Sequence, residues 1–274
     1  MVGPARLERV VRLPGAAALL AAHRRALPQP DQMCGPFWAR LAVAALLGTE
    51  GLPGIAEFAA AAGTAIWPGD LAAARPPGEP PHTDAWAGVA RAGSPDGAGT
   101  SASGVGAAIE LLSSGAVAAV PATGQWTGEG LLALLDGLAA RDLAAVPVAN
   151  PDTGELWGSR PAPGLLDAYL ADGDAAHGPP PDWRVGHFAG LWGTLRGPAG
   201  TLVAVADTYP VLGARGLHLQ PVERLGAALA RGAPRTGGVV LAVPARRRDD
   251  AVALVRDSGL EPVWWDNGTE YHGR

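Results

Sequence analysis

Hydrophobic periodicity divides the chain into an N-terminal helical part and a later part in which strands and helices mix. Apolar positions recur with helical spacing over residues 15–26, 34–47 and 54–63. The segment "SASGVGAAIELLSSG" (101–115) begins at a serine, a preferred N-cap residue, and ends at a glycine, so it predicts a fourth helix. Between them, residues 68–99 are rich in Pro, Gly and Asp and predict a long loop.

After residue 115, short apolar runs typical of strands alternate with further helical segments. In chain order we predict strand 116–122, helix 128–142, strand 143–150, a hairpin within 184–210, helix 221–231, strand 237–244, helix 249–259 and strand 260–266. The hairpin signal is the strongest, because two apolar runs flank the turn sequence "RGPAG". Helices first and then a mostly antiparallel sheet define an α+β fold.

The order of these segments suggests one main domain and a short C-terminal extension. Residues 1–235 hold the first helices and the hairpin, and we assign them to one domain. Residues 236–274 read as strand, helix and strand, and we expect this extension to pack on the same domain.

Composition narrows the class of protein. With 48% hydrophobic and 17% charged residues the chain is globular, and its net charge of −5 provides no general attraction to nucleic acid or anionic membrane. No apolar run reaches the roughly 18 residues of a membrane span, and the short run "LPGAAALLAA" reads as an ordinary helix and not as an export signal. We therefore expect a cytoplasmic protein without nucleic-acid or membrane partners; its oligomeric state is open.

Cys34 is the single cysteine, which excludes an intramolecular disulfide and any metal site built on several cysteines. The six histidines show no metal-ligand spacing, so we expect neither metal nor cofactor. Cys34 stands at the predicted start of a helix, where free backbone N–H groups and the helix dipole lower the pKa of a thiol. Gly35 beside it is expected to leave room for a substrate carbonyl. A free cysteine is more often a small core residue, so the position alone does not decide its role.

His187 and Asp207 supply the two residue types that a nucleophilic cysteine needs as partners. His187 lies at the beginning of the first hairpin strand and Asp207 at the end of the second, and antiparallel pairing brings these two ends together. A histidine can accept the thiol proton, and an aspartate can hold its ring in the required tautomer. His218 lies close to Asp207 in sequence and is the reserve candidate for the base.

Four segments together resemble a known superfamily. "QPDQMCGPF", "GTSASGVGAAIELLSSG", "VGHFAGLWG" and "VAVADTYP" are similar to the papain-like cysteine peptidases, and most of all to the bacterial branch that trims bacteriocin precursors. The resemblance covers most of residues 26–210 and rests on about ten diagnostic positions. It implies a papain-like α+β fold, with Cys34 as nucleophile, His187 as general base and Asp207 as its orienting partner. It also implies a glutamine that donates to the oxyanion together with the backbone N–H of Cys34.

The chain departs from that pattern beside the cysteine. The family's glutamine stands six residues before the cysteine, where this chain has Pro28; Gln29 stands five before and Gln32 two before. We assign the oxyanion role to Gln29 and keep Gln32 as the alternative. Met33 occupies the place of the aspartate that commonly precedes the family's cysteine.

Other catalytic motifs fit less well. The Gly-rich segment 99–106 lacks the Gly-Lys-Ser/Thr ending of a phosphate loop, and the chain contains no lysine. The same segment misses the Gly-x-Ser-x-Gly spacing of a serine hydrolase. The residues therefore favour cysteine-dependent acyl transfer on a peptide or small amide, with peptide hydrolysis as the main expectation. An acyltransferase or peptide cyclase on the same scaffold, and a non-catalytic peptide-binding domain, are the alternatives.

Overall fold

The computed structural model describes residues 4–69, 75–232 and 235–269. Its α-helices are α1 (Pro4–Leu7), α2 (Ala16–Ala26), α3 (Cys34–Leu47), α4 (Ile55–Ala61), α5 (Ala102–Leu112), α6 (Gly128–Ala140), α7 (Pro163–Asp172), α8 (Val222–Ala230) and α9 (Arg248–Asp257). Its strands are β1 (Val11–Arg12), β2 (Ala65–Ile66), β3 (Ala90–Arg91), β4 (Val117–Ala122), β5 (Val146–Ala149), β6 (Ala189–Arg196), β7 (Thr201–Ala206), β8 (Leu217–Pro221) and β9 (Val239–Pro244).

One antiparallel sheet organises the molecule. Its strands run in the order β4-β9-β5-β6-β7-β8, and β1 pairs with the far end of β6. Each of these pairings is antiparallel, whereas the small sheet of β2 and β3 is parallel. The expectation of an α+β fold with a mostly antiparallel sheet is therefore confirmed.

Helices cover both faces of this sheet, which explains why its strands are apolar at nearly every position. Along β4, Val117 and Ala119 join the core on the side of α2, α3 and α5, whereas Ala118 and Val120 join the core on the side of α6, α8 and α9. Successive side chains of a strand point to opposite faces, so a strand covered on both sides needs apolar residues at odd and even positions alike.

The predicted helices form where their capping residues indicate. The hydroxyl of Ser101 accepts the N–H of Gly104 at 3.0 Å and caps α5, and Gly48 follows α3 with a φ of 95°. Sequence reasoning missed α7 and β8. The signal for α7 is present, since Pro163 opens it and Gly173 closes it in the left-handed conformation. Strand β8 has only five residues and gains its place through pairing with β7.

The C-terminal extension is built into the sheet. Strand β9 lies between β4 and β5, so residues 236–274 contribute a central strand to the same sheet as the hairpin. The predicted strand 260–266 is wrong beyond one bridge between Glu261 and Thr123, because Pro262 has no N–H with which to continue the ladder.

The predicted loop 68–99 is largely irregular, with two short 3₁₀ turns and strand β3. Residues 1–3, 70–74, 233–234 and 270–274, including His272, lie outside the described residues. They belong to the predicted loop 68–99, the predicted domain 1–235 and the predicted extension 236–274. Within the described part of the chain, every helix is too short or too polar to cross a lipid bilayer.

Candidate active site

Several chain segments meet at one end of the sheet and surround a cleft. Cys34 is the first residue of α3, His187 precedes β6 by two residues, and Asn150 follows β5 directly. All three line a cleft of about 420 Å³, and Asp207 lies behind His187 at the end of β7. Neighbouring antiparallel strands end and begin at the same edge, which is why residues so distant in sequence come together here. The cleft has the size of a small-ligand site, typically about 300–1,000 Å³.

The hairpin holds His187 against Asp207. The Nε2 atom of His187 lies 3.0 Å from Oδ1 of Asp207, and both side chains are buried. Because a carboxylate only accepts, this nitrogen carries the proton and the other ring nitrogen, Nδ1, is left for Cys34. The backbone of His187 is held as well: its N–H donates to Pro151 at 3.1 Å, and its carbonyl accepts from Asn150 at 3.0 Å. A bulge lies between Leu191 and Gly193, so the hairpin register shifts just beyond the site.

Cys34 is half-buried and faces His187. Burial by itself opposes ionisation of the thiol, but a hydrogen bond with His187 and the charge of its ring outweigh that effect. The backbone N–H groups of Phe188 and Gly35 also bond the sulfur, and the net result is a pKa of Cys34 below the ordinary thiol value. For His187, burial alone would lower the pKa, yet the opposite charges of Asp207 and Cys34 raise it to about 10. The pair is therefore arranged as thiolate and imidazolium.

These shifts predict an alkylation profile that differs from that of a simple thiol. At neutral pH, Cys34 should react with iodoacetamide as a larger thiolate fraction than a free thiol does, because its thiolate forms below the free-thiol pKa of about 8.5. The rate should fall only as the pH drops through the depressed pKa of Cys34. Rates measured by intact mass from pH 4 to 9, with N-acetylcysteine as reference, test this. A profile that coincides with that of the reference would contradict the ion pair.

Asp207 is held by more than its bond to His187. Its Oδ1 accepts the N–H of Thr208 at 2.7 Å, and the Thr208 hydroxyl lies 3.3 Å from Nε2 of His187. Its Oδ2 lies 3.5 Å from Nε2 of His218. Burial opposes the charge of Asp207, but His187 and His218 outweigh burial and keep the pKa of the carboxyl far below its usual range. Asp207 is thus a fixed anion between two imidazole rings.

His218, the reserve candidate for the base, lies behind Asp207 and does not line the cleft that holds Cys34. Its role follows from Gln220, whose amide is fixed by the backbone of Trp157: Oε1 accepts at 2.9 Å and Nε2 donates at 2.8 Å. The same Nε2 lies 3.1 Å from Nδ1 of His218, which must therefore accept. This pattern assigns the proton of His218 to Nε2, from which it points at Asp207. His218 thus supports Asp207, and within the described structure it makes no hydrogen bond to Cys34.

Two further aromatic groups enclose the buried pair. The Nε2 atom of His23 lies 2.6 Å from the backbone oxygen of Asp207, and burial lowers the pKa of this histidine, so it donates as a neutral ring. On the solvent side, the ring of Trp183 stands edge-on to His187 with centroids 4.9 Å apart. Sequence reasoning missed His23, because it is 184 residues from Asp207. Trp183 is one of the loop tryptophans that the sequence offers as cleft-lining residues, and it does line the cleft.

Gln29 lies in the cleft wall, but its amide is already engaged. It is buried, and its Nε2 donates to the hydroxyl of Tyr209 at 2.9 Å, while that hydroxyl donates to Asp31 at 3.0 Å. Since Tyr209 has one proton and gives it to a carboxylate, Gln29 must present its N–H side to Tyr209. The Oε1 atom of Gln29 has no partner among the described residues. One N–H of Gln29 is thus used by Tyr209, and its role towards an oxyanion stays a prediction.

Gln32 is committed to the backbone of the neighbouring loop. Its Nε2 donates to the carbonyl of Trp67 at 2.9 Å, and its Oε1 accepts the N–H of the same residue at 2.7 Å. Gln32 also adopts the left-handed conformation, with a φ of 65°. It therefore ties the segment before α3 to the end of β2, which makes it a poor second choice for the oxyanion role.

The two residues flanking Cys34 have packing roles. Met33 is fully buried with Ala59, Ile66 and Val89, an apolar site in which an aspartate would be unpaired. The expectation that Gly35 leaves room for a substrate carbonyl is wrong: a Cβ at Gly35 would lie 2.6 Å from Cβ of Thr100. The missing side chain lets α3 approach Thr100, which lines the cleft together with Cys34.

Among the described residues, no group of three or more His, Cys, Asp and Glu side chains is placed to hold a metal ion.

The comparisons with known proteins give a family but no activity. The chain belongs to a family of unknown function (DUF6885), whose sequence profile matches residues 13–266. No curated protein and no solved structure matches the chain significantly.

Proposed function

We propose that this protein is a cysteine-dependent acyl-transfer enzyme that hydrolyses a peptide or small amide. The observation that carries the proposal is the continuous chain from Cys34 at the start of α3, through His187, to the buried Asp207, with the thiol facing a cleft of about 420 Å³. The depressed pKa of Cys34 and the raised pKa of His187 are those required of a thiolate nucleophile and its proton carrier. The resemblance to papain-like peptidases agrees with this assignment of roles.

The reaction follows from the geometry in two stages. The Cys34 thiolate attacks the substrate carbonyl, and an S–C bond forms while the carbonyl oxygen becomes an oxyanion. His187 then gives its Nδ1 proton to the leaving amine, the C–N bond breaks, and a thioester remains on Cys34. A water molecule attacks the thioester, His187 takes the proton of that water, and the acid leaves with the thiolate restored. Asp207 keeps the His187 ring oriented throughout.

The oxyanion requires donors beside the sulfur. The backbone N–H of Cys34 lies in the first turn of α3, where N–H groups have no acceptor within the helix. We assign the second donor to the remaining N–H of Gln29, whose other N–H is held by Tyr209. Each such donor typically contributes on the order of 10²–10³ in kcat.

Turnover of a peptide mixture tests the proposal. The wild type should cleave members of a library of internally quenched peptides, and Cys34→Ser should not, since serine at this position lacks the low pKa of the thiol. Because Cys34 is the sole cysteine of the chain, intact mass spectrometry can assign any acyl adduct to it without ambiguity. Peptide binding that is equal in both proteins, with no cleavage by either, would contradict the proposal and favour a peptide-binding domain.

The same assay separates hydrolysis from acyl transfer or cyclisation. Glycinamide added to the reaction competes with water for the thioester. Products that carry a free acid in its presence support hydrolysis, whereas glycinamide adducts or cyclic peptides assign the protein to the transferase or cyclase alternative.

A further inference from the structure

Positive charge is concentrated on one side of the cleft that contains Cys34. Three arginines line it, Arg184, Arg231 and Arg235, and Asp96 is the sole carboxylate among the described lining residues. This imbalance is local, because the chain as a whole carries a net charge of −5. An acidic protein that collects arginines beside one thiol presents an anion-binding surface there.

Arg231 lies closest to the proposed catalytic residues. Its Nη2 atom donates to the carbonyl of Pro151 at 2.9 Å, and that carbonyl also accepts the backbone N–H of His187 at 3.1 Å. A Cβ at Gly186 would lie 2.9 Å from the same Nη2, so the chain entering His187 runs directly along the guanidinium. The position of Arg231 is therefore set relative to His187 by shared contacts.

The charge of Arg231 is not matched by a carboxylate at ion-pair distance within the described structure. Among the described residues its hydrogen-bond partners are the backbone oxygens of Pro151 and Asn267, and its Nε is buried without a partner there. Burial lowers the pKa of Arg231 and so does the charge of Arg235, whereas the charges of Asp152 and Cys34 only partly oppose this. The guanidinium of Arg231 is thus half-buried, bonded to two carbonyls and repelled by a second guanidinium. Such a group binds an incoming anion strongly.

The backbone at Arg231 is strained as well. Arg231 follows α8 with a φ of 44°, a left-handed conformation that favours glycine at this position of a helix end. An arginine held there against its preference places its side chain in the cleft wall, and strain of this kind is concentrated at binding and catalytic sites.

We propose that Arg184, Arg231 and Arg235 bind a carboxylate of the acyl donor, so that the substrate is an acidic peptide or acidic amide. Arg231 provides the fixed guanidinium beside His187, and the two exposed arginines complete the site at the rim. This inference rests on the proposed function, because it assigns the substrate class of the same cleft. A carboxylate has two possible sources in a peptide, an acidic side chain and the free C-terminus, and both present the same group to the arginines.

Alkylation of Cys34 by two small reagents tests the site separately from catalysis. Iodoacetate and iodoacetamide both form an S–CH₂ bond to the thiolate and release iodide, but only iodoacetate carries a carboxylate. The rate ratio of iodoacetate to iodoacetamide should be higher for the wild type than for N-acetylcysteine and should fall as salt is added. The ratio should fall about tenfold in Arg231→Gln, equivalent to about 1.4 kcal/mol, the size of one charge-assisted contact.

Rim and remote variants serve as controls. The double variant Arg184→Gln/Arg235→Gln removes two exposed side chains that make no hydrogen bond among the described residues, so it should fold normally and lower the ratio severalfold. Arg256→Gln removes one positive charge, as Arg231→Gln does, but on α9 and away from the cleft, so it should leave the ratio unchanged. A merely structural role of Arg231 would change both alkylation rates equally and leave the ratio at the wild-type value, which would overturn the proposal.

Protection experiments identify the source of the carboxylate. A peptide with an internal Glu and an amidated C-terminus is compared with its Gln counterpart, and the Gln peptide with a free C-terminus is the third arm. Slower iodoacetamide labelling with the internal Glu or with the free C-terminus supports the proposal and names the source. Equal protection by all three peptides would overturn it. Failure of Cys34 to react with either reagent would instead contradict the proposed function itself, so the two failures are distinguishable.

Discussion

Replacing His187 by alanine is expected to lower peptide hydrolysis on the order of 10³-fold or more, because nucleophile and base act as one unit. The variant loses the imidazolium that stabilises the Cys34 thiolate and the proton carrier for the leaving amine. Iodoacetamide labelling of Cys34 should at the same time revert to the profile of an ordinary thiol, since the hydrogen bond and charge of His187 are what lower its pKa. The measurements are kcat/KM on a cleaved peptide and the pH dependence of alkylation.

Two histidine variants serve as comparisons for His187→Ala. His177→Ala changes an exposed residue paired with Asp174 and should leave both measurements unchanged. His218→Ala removes a donor to Asp207 and should reduce activity less than His187→Ala does, because His218 acts through the carboxylate and not on the thiol. An active His187→Ala together with an inactive His218→Ala would show that the wrong histidine had been chosen as the base.

Asp207→Asn should have the second largest effect, a loss on the order of 10³-fold in kcat/KM. Asparagine is nearly isosteric, but it removes the anion that raises the pKa of His187 and assigns the proton to its Nε2. An amide N–H turned towards the ring would force Nε2 to accept and would place the proton of the neutral ring on Nδ1, where it blocks proton transfer from Cys34. Cys34 should then show a higher pKa in alkylation.

The control for this variant makes the same chemical change on the surface. Asp136→Asn removes a partner of the exposed Arg196 and should leave activity unchanged. Circular dichroism should show both variants folded. If Asp207→Asn retained wild-type kcat/KM and an unshifted Cys34 profile, the orienting role of Asp207 would be excluded.

The depressed pKa of Asp207 also predicts how the free energy of unfolding changes with pH. Its pKa is depressed in the folded protein, so the stabilisation it provides is present above its unfolded pKa of about 3.9 and is lost as the pH falls below that value. The free energy of unfolding should therefore differ most between wild type and Asp207→Asn at about pH 5–6, above the unfolded pKa of the carboxyl and below that of His187, and this difference should shrink towards pH 3. Urea unfolding at several pH values measures it.

Local sequence patterns are sufficient to predict those parts of the site whose positions depend on residues nearby in the chain. The sequence places Cys34 at a helix start because the apolar spacing of residues 34–47 begins there, and α3 does begin at Cys34. His187 and Asp207 were brought to one edge by the hairpin between them, whose pairing depends on a short turn and on two adjacent runs. Both inferences rest on the regular repeat of a helix or of a strand pair, and the spacing of apolar residues in the sequence predicts that repeat.

The surroundings of these residues were decided by tertiary packing. From sequence alone His218 remains the reserve candidate for the base; the contact with Gln220, which Trp157 fixes, shows that the proton of His218 points at Asp207. Gln29 was selected by its spacing from Cys34, whereas its engagement with Tyr209 joins residues 180 positions apart. No sequence pattern predicts that Arg231 lies in the site. Hydrogen bonds and charges act through space, so their partners are known only once the sheet has placed β9, β5, β6 and β7 side by side in that order.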